Sequence, residues 1–305
     1  MKKIVFTIIS ALFAVVAANA QLLYKISGNG LDKPSYIVGT YHLAPASFAE
    51  SIPGSQRVLA SVEQVCGEVD INEMESMEAI QKVNEAMMLP DGQSLSDIFT
   101  AEEMDKLNAY LRKVIGADLT NPMLAEQMGK MTPMSLGSAL ELVVYMKETP
   151  GFNPASLIDI YFQKEALKKG KPAIGLETLD FQIQALYKST TIDRQKESLL
   201  CLIDNEEAFS ALRKELVEAY FSKDIEGLKA VMEQEYDIEC GDMEEAEKEA
   251  ELVFYGRNEE WIKKMPEIMN EKSTLFVVGA GHLPGDRGVL QLLKDNGYKV
   301  KAVKK

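Results

Sequence analysis

Apolar and β-branched residues gather in short runs toward the two ends of the chain, while the long middle repeats apolar positions three and four residues apart. The short runs predict strands: Leu22 to Ser27 as an edge strand, Ser35 to Gly39, Val62 to Asp70 in its last part, Lys171 to Leu176, Thr274 to Gly279 and Tyr298 to Val303. Helical spacing occupies the rest. Met77, Ile80, Val83 and Met87 form one stripe, and Ile98, Met104, Leu107, Tyr110, Leu111 and Val114 another. Pro122, Pro133, Pro150 and Pro154 punctuate that region. Met123, Met128, Met131 and Met134 read as core packing rather than a flexible binding surface. Helices are expected again from Asp180 to Asn270 and from Arg287 to Asn296, the last capped by Asp286 and stopped by Gly297. The pattern predicts an α/β (α+β) fold, a central mixed β-sheet flanked by helices. One domain, 21–305, would carry a large helical insertion at about 72–170.

Residues 1–20 change the picture of location. Lys2 and Lys3, the apolar Ile4 to Val16 and the small-residue Ala18-Asn19-Ala20 have the order of a signal peptide cleaved after Ala20. No later run approaches the ~18 apolar residues of a membrane span. The expected mature protein is therefore exported, to the periplasm or beyond. Losing the two lysines moves the formal charge from −14 to −16. So acidic a surface argues against nucleic acid and anionic membranes as partners. Three cysteines allow one disulfide in an oxidising compartment. Cys66 lies in an apolar run and reads as buried, leaving Cys201 and Cys240 as the pair.

The chain has two histidines, and each follows a strand run by the same rule: Gly39-Thr-Tyr-His42 and Gly279-Ala-Gly-His282. A residue just past the carboxyl end of a strand stands where open α/β sheets build their sites, and glycine there lets the backbone turn or a ligand approach. Imidazole can ligate a metal or move a proton near pH 7, although loop histidines also cap carbonyls. Glu68 interrupts an apolar run at a strand end. Asp70, two residues on, reads as the cap of the next helix. Glu177 ends another strand run, where it either joins the site or serves the dipole of the following helix. Asn258 reads as a helix N-cap, leaving Arg257 in the turn before it. Gly279-Ala-Gly281 with Gly285 imitates a dinucleotide fingerprint, but the third glycine is one place late and too little chain follows.

Tyr36-Ile-Val-Gly-Thr-Tyr-His42, Glu68, Gly175-Leu-Glu-Thr178, Arg257-Asn258 with Trp261, and Val278-Gly-Ala-Gly-His-Leu-Pro-Gly285 stand in the order of the TraB/GumN family, which the chain resembles from about Leu22 to Val303. The resemblance implies a fold like that of erythromycin esterases and ChaN-like haem proteins. It also implies kinship with Tiki-type metalloproteases, which use two Gly-x-x-His motifs, a glutamate and an arginine. Carried over, His42, Glu68 and His282 would be metal ligands or a general base, and Arg257 would stabilise an oxyanion. Such a donor set suits Mn, Co, Fe or Zn. A metal-dependent hydrolase of peptide or protein substrates is the leading expectation. The alternatives are a metal-free esterase-like hydrolase and a non-catalytic binder of peptide or haem, with His42 or Tyr41 as axial ligand.

Overall fold

The computed structural model describes residues 21–234, 240 and 243–304. The expected signal segment lies outside them. Six strands form one mixed sheet: β1 (Leu23–Ser27), β2 (Ser35–Thr40), β3 (Gln64–Gly67), β4 (Ala173–Gly175), β5 (Thr274–Gly279) and β6 (Lys299–Ala302), in the order β4-β3-β5-β2-β1-β6. β2, β5, β3 and β4 run parallel, with Thr40 opposite Gly279 and Gly67 opposite Gly175. Their carboxyl ends therefore leave the sheet along one edge. The parallel centre is covered on both faces, which is why Thr274-Leu-Phe-Val-Val is apolar almost without alternation.

β1 is an interior strand rather than the expected edge, because β6 returns from the far end of the chain and pairs with it antiparallel. Its weak alternation comes from a partly covered face, and β6, with Lys299 and Lys301 exposed, takes the edge instead. β3 is shorter than its sequence run, so Glu68 lies just beyond the strand.

Between β3 and β4 the chain passes through a series of helices from Ile71 to Lys168. Two longer ones, Ala101–Ile115 and Pro133–Glu148, pack with Ile192–Asp204 around Leu107, Leu111, Leu136, Leu140 and Leu199. This second core is separate from the one over the sheet, where Phe162, Trp261, Met265 and Phe276 are buried. The helix Met77–Ala86 forms as expected, but it buries Ala79 and Ala86 while Met77 is 81% exposed and Ile80 is also open. Its partner layer is small, Val69, Leu179 and Ile183 with the partly buried Tyr187, and it takes Val83 from the stripe but leaves Met77 and Ile80 open. Met128 and Met131 pack against the helical core, whereas Met123 is exposed.

Asp70 does cap the helix Ile71–Met74, accepting from the Asn72 N–H at 2.8 Å. The last helix is shorter than expected, Val289–Asp295, with Gly288 rather than Asp286 at its start. Cys66 is buried and free, and Cys201 and Cys240 form a disulfide with their Cα atoms 5.5 Å apart. No helix among the described residues is long and apolar enough to cross a membrane.

Candidate functional site

The parallel strands deliver His42, Glu68, Glu177 and His282 to one edge of the sheet. His42 follows β2 by two residues, Glu68 follows β3 at once, Glu177 follows β4 by two, and His282 ends a short 3-10 turn, Ala280–His282, after β5. The glycines of the two Gly-x-x-His turns serve close approach. A Cβ at Gly39 would stand 2.8 Å from Leu283 Cδ1 and 3.0 Å from Ala280 Cα, so each turn packs on the other. Gly279 has an ordinary negative φ of −54°, and its N–H donates to Glu68 Oε1 at 2.8 Å.

Arg257 comes from the opposite wall. It lies inside a continuous helix, which runs as Met243–Ala250, widens through a π turn at Glu251–Tyr255 and continues as Gly256–Glu271. Asn258 is therefore helical and not an N-cap. The π turn leaves carbonyls short of helical donors, and Val253 O accepts from Arg257 Nη1 at 3.0 Å. The guanidinium is 3% exposed. Its Nη2 donates to Glu68 Oε2 at 2.6 Å and Glu177 Oε1 at 2.7 Å, and Nε donates to Glu177 Oε2 at 3.2 Å. Nη1 also meets His282 Nε2 at 3.3 Å. These contacts use all five N–H donors. The resemblance gave Arg257 an oxyanion to stabilise, but here it is a clamp, with no donor left to turn toward a substrate.

Glu177 settles into this clamp rather than serving the next helix, whose cap is Thr178. Trp261 Nε1 donates to it at 2.9 Å, and Gln182 Nε2 bridges Glu68 and Glu177, 3.1 Å from each. Burial works to raise the Glu68 carboxyl. The adjoining His282 ring, the cationic Arg257 and His42, and the Gly279 N–H together outweigh it and hold the group below its usual range.

The two histidines end in unlike places. His282 is 4% exposed, packed at a tilt of 45° against both Trp261 and Phe254 with ring centres 4.5 and 5.1 Å away. Its Nδ1 lies 2.7 Å from Asn258 Oδ1, whose Nδ2 donates to Arg287 O at 2.9 Å. With the amide in that orientation Nδ1 carries the proton and Nε2 faces Arg257 as an acceptor. Burial pushes its pKa down to about 4, so the ring is neutral. His42, in contrast, has a side chain 71% exposed, with Nδ1 3.3 Å from Asp159 Oδ2. The Asp159 carboxylate raises the His42 pKa to about 9. Asp159 lies in the first turn of the helix Ile158–Lys168 and also accepts from the Thr40 hydroxyl. His42, Asp159, Glu68 and Gln182 line one small cavity of about 90 Å³. Tyr41, the neighbour considered as a haem ligand, packs in an aromatic cluster with Tyr145 and Tyr220.

A family model described as the TraB/PrgY/gumN family matches residues 22–302. The chain belongs to the TraB/PrgY/gumN family. Among curated proteins, this family member is similar to "Metalloprotease TIKI homolog" of Nematostella vectensis, 22% identical over 89% of this chain and 65% of the relative. It is similar at 22% to "Metalloprotease TIKI1" of Danio rerio, over 88% and 61%, and at 23% to "Metalloprotease TIKI2" of Xenopus tropicalis, over 88% and 57%. The chain thus spans about six-tenths of the length of these relatives. No solved structure matches it.

The relatives' names make a metal the natural question for this family member. Two imidazoles and a carboxylate are suitable donor types, but their arrangement does not fit a shared ion. Glu68 has Oε1 on the Gly279 N–H and Oε2 under Arg257, while His282 Nε2 faces the same guanidinium. Among the described residues no group of three or more His, Cys, Asp or Glu side chains is arranged to hold a metal. Asp159, Gln182 and the helical Asn258 are the members of the site that sequence reasoning missed or misread. Only an Asp at the start of a helical run after Leu157 hinted at the first.

Proposed function

We propose that this TraB/PrgY/gumN protein is an exported hydrolase of the peptidase type, with its chemistry centred on His42. The observation that carries the reading is the pairing of an open imidazole with a carboxylate at the mouth of the cavity: His42 Nδ1 against Asp159, with Asp159 itself held by Thr40. When His42 is neutral, Asp159 keeps the proton on Nδ1 and leaves Nε2 as the acceptor. That nitrogen takes a proton from water as the water attacks a carbonyl, and returns it to the leaving amine. The buried cluster of Glu68, Glu177, Arg257 and His282 fixes the floor beneath it. Peptidase chemistry is favoured over other hydrolysis by the relatives, which are named metalloproteases. Export is favoured by the Cys201–Cys240 disulfide and the composition of residues 1–20.

The test is cleavage of a pool of unstructured peptides by residues 21–305, with chelator, with added Mn²⁺ or Co²⁺, and with His42→Ala as control. Cleavage that disappears in the variant supports the reading. No cleavage in any condition, or full activity in His42→Ala, sinks it. Activity that survives chelation belongs to the residues just described. Activity restored only by a metal means that Arg257 gives way and the donors regroup.

A further inference from the structure

The polar cavity at His42 has an apolar neighbour. A pocket of about 410 Å³ opens between the helices Pro133–Glu148 and Ile192–Asp204, walled by Met134, Leu142, Leu199 and Leu202. Leu43 supplies another wall. His42 lines one cavity and Leu43, the next residue, lines the other. A chain lying across this two-residue step would present a backbone carbonyl to His42 and an adjoining side chain to the apolar pocket.

Gly137 is the second observation. It sits in the interior of the helix Pro133–Glu148, where glycine is destabilising relative to alanine. Neighbours do not demand it: a Cβ there would meet only Leu199 Cδ1, at an ordinary 3.5 Å. Its φ is not in the left-handed region either. A glycine that neither sterics nor backbone geometry requires, placed on the wall of a pocket, has one remaining effect. It keeps the pocket wide.

Resting on the hydrolase reading above, we infer that this pocket is a specificity subsite, which selects polypeptide substrates with a large aliphatic or Met side chain next to the scissile bond. The wall is mainly aliphatic and thioether, with Ser138, Glu141, Gln195 and Ser198 among its lining, so burial of such a side chain against the apolar part supplies the selectivity. Gly137 sets the size limit.

The test compares peptides that differ at one position, Leu, Met or Ala, against wild type, Gly137→Leu and Ser138→Trp. Gly137→Leu fills the pocket from within. Ser138→Trp closes it from the exposed rim and leaves the core untouched. Thermal denaturation of both variants confirms folding. The expected result is a wild-type preference for Leu or Met over Ala that falls roughly ten- to a hundredfold in kcat/KM ratio in both variants. An unchanged ratio in folded variants overturns the inference while leaving the hydrolase reading intact. If wild type cleaves nothing, calorimetric binding of the same peptides decides. A Leu-over-Ala preference lost in the variants upholds the pocket without the enzyme, and equal binding overturns it.

Discussion

The two Gly-x-x-His turns begin alike and finish as opposites. Both leave parallel, neighbouring strands, and they pack on each other through Gly39. Yet His42 opens to solvent beside a carboxylate that favours its charged form, while His282 is enclosed by Trp261 and Phe254 and held neutral. The difference lies in what each turn meets. The turn after β2 faces the start of the Ile158–Lys168 helix, which brings Asp159. The turn after β5 is pressed against the Gly256–Glu271 helix, which brings Asn258, Trp261 and Arg257. A repeated motif fixes where a side chain leaves the backbone, and the element packed opposite decides its chemistry. In the proposed reading the open histidine exchanges a proton and the enclosed one is part of the frame.

Breaking the frame should have the largest effect. Arg257→Ala leaves the buried Glu177 and the largely buried Glu68 without their cation, and such losses cost about 3–5 kcal/mol. Urea denaturation should show a drop of that size, with activity lost as well. A stability change below about 1 kcal/mol would mean that the clamp is not formed. Next comes His42→Ala, which should lower kcat/KM about 10²–10⁴-fold, the usual share of a general base. Its stability should change little because the ring is largely exposed. His282→Ala should do the reverse of that split: a loss of about 1–3 kcal/mol from the unpaired Asn258 and Arg257 groups. Its activity should fall only as far as the distorted floor requires. Equal stability losses in the two alanine variants would erase the contrast between the turns.

The pH dependence of stability sharpens the same contrast. The unfolded chain protonates His282 below about 6.5, while the folded chain resists until about 4. Its contribution is therefore lost as pH falls through that window. His42 contributes with the opposite sign. Its pairing with Asp159 is fully stabilising below about 6.5 and is lost as pH rises through about 9, weakened throughout by solvent at the exposed ring. Denaturation midpoints of His282→Ala and wild type should converge between pH 6 and roughly 4. Parallel curves would show that His282 is not held neutral.

Much of this frame is readable from the chain. The strand runs, the shared Gly-x-x-His rule, Glu68 at a strand end and the disulfide pair all follow from local pattern and compartment. What is not readable is what meets across space. Asp159 is an unremarked helix-start residue until the Ile158 helix is laid beside His42, 117 positions away in sequence. Arg257 and Asn258 look like a turn and a cap because a π turn has no clear sequence mark, so the helix seems to restart there. Glu177 stands evenly between two roles until Trp261 and Arg257 arrive from the far end of the chain. β1 reads as an edge because its partner β6 lies more than 270 residues downstream.

The smallest predicted effect isolates the pairing that makes His42 different. Asp159→Asn keeps the side chain's size and an oxygen for Nδ1–H but removes the charge that favours the imidazolium. In the wild type a base with a raised pKa is mostly protonated at neutral pH, so kcat/KM should climb with pH toward about 9. In Asp159→Asn the climb should finish at lower pH, nearer the ordinary imidazole value of about 6.5. The plateau should also be lower, since the neutral partner orients the ring less firmly and stabilises the developing imidazolium less. A merely structural role for Asp159 would lower the plateau without moving the climb. A profile that keeps its position would therefore detach Asp159 from His42, and with it the distinction between the open turn and the enclosed one.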